Sequence, residues 1–137
     1  MRLIDLDPHF IRYETRIDTY QVVDGDYATW RERGCPWKQI TGPREYTIEV
    51  PTLPEAQGVR FECPKCTAAG GQIHSCVVTF EGRGVAPEQG CHNKEGKPTR
   101  WNVSGNGLHD LTTTPSVLLE GGCCWHGFIT NGEVTSC

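Results

Sequence analysis

Gly122-Cys123-Cys124-Trp125-His126-Gly127-Phe128-Ile129-Thr130-Asn131-Gly132-Glu133-Val134 is the stretch that decides the fold. Two signals overlap in it. Cys123 and His126 have C-x-x-H spacing, which lets two side chains turn toward one ion. Phe128 to Val134 reads as a short hairpin, because a two-residue Asn131-Gly132 loop fits the type I′ turn. Far upstream, Cys63-Pro64-Lys65-Cys66 supplies a matching C-x-x-C. The two pairs read as one zinc site of Cys63, Cys66, Cys123 and His126. Three thiolates and one imidazole suit tetrahedral Zn²⁺. With four protein ligands no position is left for water, so the ion is structural and its binding energy is folding energy.

Composition supports a stapled, loop-rich domain. The protein has 137 residues, which is the size of one domain, 1–137. Hydrophobic residues are 36%, with Gly 16 and Pro 9, so the core is modest and a staple is useful. Net charge is −4, which argues against a nucleic-acid partner, since such binding needs a basic footprint. Arg31, Arg33, Lys38 and Arg44 cluster, but Glu32 and Glu45 dilute them. The start, Met1-Arg2-Leu3-Ile4-Asp5-Leu6-Asp7, carries charges where an export signal needs an apolar run. No apolar run reaches the roughly 18 residues of a membrane span. A reducing cytoplasm is the expected location, at least during folding, and there metal is the better reading of the eight cysteines than disulfides. Cys35, Cys76, Cys91 and Cys137 have no ligand-like partner at short range.

Strand patterns recur throughout the sequence. Ile11, Tyr13, Thr15 and Ile17 alternate with Arg12, Glu14 and Arg16, and Tyr20 to Val23 continues the β composition. Tyr46 to Val50, Val59 to Glu62, Ile73 to Phe80, Arg100 to Gly105 and Leu111 to Leu119 read as further strands, with Pro115 marking an edge or bend. Asp26 to Arg33 reads as a short capped helix, and Thr52 to Gly58 as a capped turn with Thr52 and Glu55 at capping-box spacing. Residues 81–99 read as a long surface loop. The expectation is a mainly β, small α+β fold: one compact antiparallel β domain with one or two short helices, stapled by the Cys3His zinc site.

Four segments carry a resemblance. They are Leu6-Asp7-Pro8 with Ile11-Arg12-Tyr13, Phe61 to Cys66, Trp101 to Gly105 through Pro115-Ser116-Val117, and Trp125 to Gly132. They resemble small proteins of tailed phages and prophages that pair a central C-P-x-C with a C-terminal C-x-W-H-G-F-x-x-N-G. More distant bacterial relatives, some near ubiquitin-like conjugation genes, share the knuckle, the Pro-Ser strand and the His-x-Phe-Ile-x-x-Gly hairpin. The resemblance implies a phage origin and a metal-bound β fold, and no established reaction. At the position of Cys124 that family commonly has Gly, which favours Cys123 as the ligand.

Two function classes follow. The first is a phage-encoded, zinc-stabilised protein-binding module: a minor virion component (decoration, neck or tail accessory) or a host-directed effector. Its partner is another protein, and Cys137 could pair between copies in an assembled oligomer. Trp30, Trp37 and Tyr46 either cover one end of the sheet or form its recognition surface. The second is a zinc-dependent hydrolase, with water in place of one ligand and Glu62 or Glu133 as general base. Neither H-x-E nor H-E-x-x-H is present to support it. His109-Asp110 could orient Ser104 or Ser116 as a nucleophile, although such dyads also occur as ordinary polar turns. His74 with Cys76 could replace one C-terminal metal ligand, whereas Cys91 and His92, adjacent in sequence, chelate poorly.

Overall fold

Alternating runs become strands wherever the structure describes them. A computed structural model describes residues 1–17, 20–22, 37–39, 43–120 and 124–137. Its strands are β1 (His9–Ile17), β2 (Tyr20–Val22), β3 (Trp37–Gln39), β4 (Pro43–Val50), β5 (Gly58–Glu62), β6 (Ser75–Thr79), β7 (Asn102–Ser104), β8 (Thr112–Leu118), β9 (His126–Thr130) and β10 (Glu133–Ser136). One helix, α1 (Pro64–Ala69), and short 3₁₀ turns at Leu3–Leu6, Leu53–Glu55 and Leu108–Asp110 complete the described elements. The fold is mainly β, as expected. The helix expected over Asp26 to Arg33 lies outside the described residues, as does Trp30. Among the described residues no helix is long and apolar enough to cross a membrane.

Two four-stranded sheets run in the orders β4-β1-β5-β6 and β10-β9-β8-β7, and β2 pairs with β3 in a small third sheet. Contacts divide the protein into a larger unit, Met1–Tyr13 with Thr47–Cys137, and a smaller one, Glu14–Tyr46. The core of the larger unit draws on both four-stranded sheets. Phe61 at the end of β5 meets Trp125 just before β9, edge to face, with ring centroids 5.9 Å apart. Leu3, Leu6, Val78, Phe80, Val117 and Ile129 are buried around them.

The C-terminal hairpin forms as its sequence dictates. Thr130 pairs with Glu133 across the turn. Asn131 and Gly132 both take positive φ, 48° and 77°, which is the type I′ requirement. The tip is stitched on two sides, since Gly132 N–H donates to Leu111 O at 2.9 Å and its carbonyl accepts from Leu3 N–H at 2.8 Å. Thr52 and Glu55 also meet, through a side-chain bond (2.8 Å) and the Glu55 N–H to Thr52 carbonyl (3.2 Å), without the side-chain-to-backbone bonds of a capping box.

Pro115 does mark a break. Thr113 pairs with Ile129 and Val117 with Gly127, so β8 advances four residues where β9 advances two. Between them Thr114, Pro115 and Ser116 have no register partner on β9, so β8 is bulged on that side while Thr114 still pairs with Asn102 on β7. Such a bulge re-aims side chains beside functional sites.

Candidate active site

The bulge delivers Ser116. Its Oγ lies 3.4 Å from Nε2 of His126, the first residue of β9. The two residues are ten apart in sequence and meet because β8 and β9 pair side by side. Trp101, buried before β7, donates its indole N–H to the Ser116 carbonyl at 3.2 Å, which pins the bulge from below. Ser116 is half-buried and His126 is exposed. Leu118, paired with His126, and Phe128, two residues further along β9, leave large apolar side chains open to solvent beside the imidazole. Among the described residues no carboxylate forms an ion pair with His126.

The other candidates fall to different tasks. Ser104 pairs opposite Thr112 on β7. His109 Nε2 is 3.8 Å from Asp110 Oδ1, but the His109 side chain is 71% exposed. Asp110 closes its own loop instead: Oδ1 accepts from the N–H groups of Asn106 (2.8 Å) and Gly107 (2.9 Å). Those donors, Gly107 first and then Asn106, hold its carboxyl below the usual range. Glu133 lies 3.5 Å from the N-terminal ammonium. His92 is tied to the Pro87 carbonyl at 2.7 Å.

The expected metal ligands are only partly in view. Cys63 follows the end of β5, and Cys66 sits in the first turn of α1, both thiols buried. Pro64 at the helix start and left-handed Gly70 after its end set the length of the knuckle. The Cys66 Sγ is 3.2 Å from His74 Nδ1, and the Cys63 N–H donates to the His74 carbonyl at 2.8 Å. Cys76, also buried, pairs opposite Phe61 on β6. Cys123 lies outside the described residues. Among the described residues no three His, Cys, Asp or Glu side chains gather in a group able to hold a metal ion.

Beside Ser116 opens a cavity of about 440 Å³, with a mostly apolar wall that includes Trp101, Pro115, Leu118 and Leu119. The loop that closes it is held by Arg100. That guanidinium donates to four carbonyls: Ala86 (3.0 Å), Gln89 (2.6 Å), Cys91 (2.9 Å) and Thr99 (3.0 Å).

A serine hydroxyl set against an imidazole beside a cavity is the arrangement of a serine hydrolase. A family profile with that chemistry in its description matches residues 35–137: BubE, the serine protease of a bacterial ubiquitination-like system. The chain belongs to the BubE family. Comparison with curated proteins and with solved structures gave no match. The family corrects the first functional expectation. BubE is a family of a bacterial system described as proteases, so the reading as a phage virion component or host-directed binding module is withdrawn. Hydrolysis, placed second by the sequence, fits the BubE description better, with serine in place of metal-bound water. The virion reading arose from the resemblance to phage proteins, which implied a phage origin and no established reaction.

Proposed function

We propose that this protein is a serine protease or related acyl hydrolase, with Ser116 as nucleophile and His126 as general base. One observation carries the reading: the 3.4 Å approach of Ser116 Oγ to His126 Nε2. Such contacts are commonly loose before substrate binds. The family description supports the choice of serine chemistry. In the reaction, Ser116 Oγ attacks the scissile carbonyl carbon and its proton passes to His126 Nε2. The tetrahedral adduct collapses, the bond to the leaving group breaks, and His126 returns that proton to the leaving group. Water, deprotonated by His126, then releases the acyl group from Ser116. From the family description we take the substrate to be a protein acyl bond made or used by a ubiquitination-like system.

The test is active-site labelling. A fluorophosphonate probe is expected to modify Ser116, located by peptide mass spectrometry. Ser116→Ala and His126→Ala are each expected to lower turnover by about 10³-fold or more. Labelling that survives Ser116→Ala would overturn the assignment.

For the knuckle we propose a separate, structural zinc. Cys63 and Cys66 supply thiolates, and Cys123 is the further donor named by the sequence. The Cys66–His74 contact supports His74 as an imidazole donor at that end of the sheet. This leaves His126 to Ser116.

A further inference from the structure

Resting on the Ser116–His126 reading, we propose that the cavity beside Ser116 is the specificity pocket, and that it takes a large apolar side chain on the acyl side of the scissile bond. Two arguments lead there. The first concerns chemistry. The charged and most of the polar groups around the cavity are already engaged within the protein. Arg100 spends its guanidinium on four carbonyls. Glu120 pairs with Lys94 at 3.3 Å. His92 is held by the Pro87 carbonyl. Asn93 Oδ1 accepts from the N–H groups of Glu95 and Lys97, both at 2.9 Å. The Cys91 thiol donates to the Val77 carbonyl at 3.1 Å and accepts from Thr79. The Trp101 indole N–H is taken by Ser116. A charged guest would lose part of its hydration and find the donors of Arg100 and the carboxylate of Glu120 already turned to other partners. What remains on offer is the apolar surface of Trp101, Pro115, Leu118 and Leu119.

The second argument concerns direction. Ser116 lines the cavity, whereas His126 stands outside its lining. His126 must hand a proton to the leaving group, so the leaving group lies on the imidazole side of Ser116. The cavity therefore faces the other substituent of the carbonyl, which is the acyl portion retained on Ser116.

The probes are N-acetyl amino-acid p-nitrophenyl esters with Gly, Asp, Leu or Phe as the acyl residue, run beside fluorophosphonate labelling. The expected order places Leu and Phe above Gly and Asp by about tenfold or more in kcat/KM. Leu118→Asp, at a side group that is half exposed, is expected to bring the Leu-to-Gly ratio to near one. A preference for Gly or Asp, with Ser116 still labelled, would overturn the pocket and leave the dyad standing. Absence of both labelling and ester hydrolysis would overturn the dyad, and the pocket with it.

Discussion

At the scale of residues, Asp110 shows how a carboxylate can resemble a catalytic group and serve a turn. Its depressed pKa comes from the N–H groups of Gly107 and Asn106. The folded carboxyl thus titrates below its ordinary value of 3.8. The stability it adds is present above that value and is lost as pH falls through the lower, folded one. Asp110→Asn is therefore expected to lower the melting temperature at neutral pH, with the deficit closing on acidification, as read by calorimetry across pH. A deficit that grows in acid would contradict this sign. His126 teaches the opposite lesson. Its spacing from Cys123 was legible, and Ser116 was named as a nucleophile, but with His109-Asp110 as its partner. The approach of Ser116 to His126 depends on the register of β8 and β9, which no local spacing announces. The sequence around Ser116 is Thr-Pro-Ser-Val, with no glycine elbow to announce a nucleophile. Pro115 was the one local signal, and it pointed to a bend without saying which side group the bend would present.

At the scale of elements, strands were readable wherever alternation or β-branched composition was strong. The hairpin was readable because Asn-Gly has few other uses between two apolar runs. Gly127 is a requirement of the same hairpin that no pattern announced. A Cβ there would run into the Thr135 carbonyl and the Trp125 ring (2.5 Å from one of its carbons). Gly127→Ala is expected to cost about 1–3 kcal/mol in denaturant unfolding, as overpacking does, and to displace His126 by moving β9. Full stability in that variant would show that the hairpin can shift away from the ring. The loop at 81–99 was legible only as polar and turn-rich. Its fold depends on Arg100, whose four carbonyl acceptors lie up to 14 residues away in sequence. No local pattern marks such a hub, and so the cavity that the loop closes could not be read in advance.

At the scale of the whole molecule, the two four-stranded sheets meet around Phe61 and Trp125, and the knuckle at Cys63 and Cys66 begins two residues beyond that contact. A structural zinc there would fix the end of the sheet that carries the knuckle. Purified protein is expected to carry about one zinc per molecule. Cys66→Ser is expected to lose the ion and much of its thermal stability, whereas His126→Ala is expected to keep both and lose only activity. Loss of zinc in His126→Ala would restore the histidine to the metal. The mainly β class followed from composition and turn chemistry, while the site depended on the register of two strands. That register carries one further consequence. The bulge in β8 adds two residues relative to β9, and two is the period of a strand. The inward phase is thereby conserved: Thr113 and Val117, on either side of the bulge, both point to the core. An odd insertion would have turned the remainder of the strand inside out. The proposed nucleophile thus sits on an even-numbered detour that leaves the inward phase of the strand unchanged. An inactive Ser116→Ala protein should stay folded and keep its pocket, which makes it suitable as a trap for uncleaved conjugates.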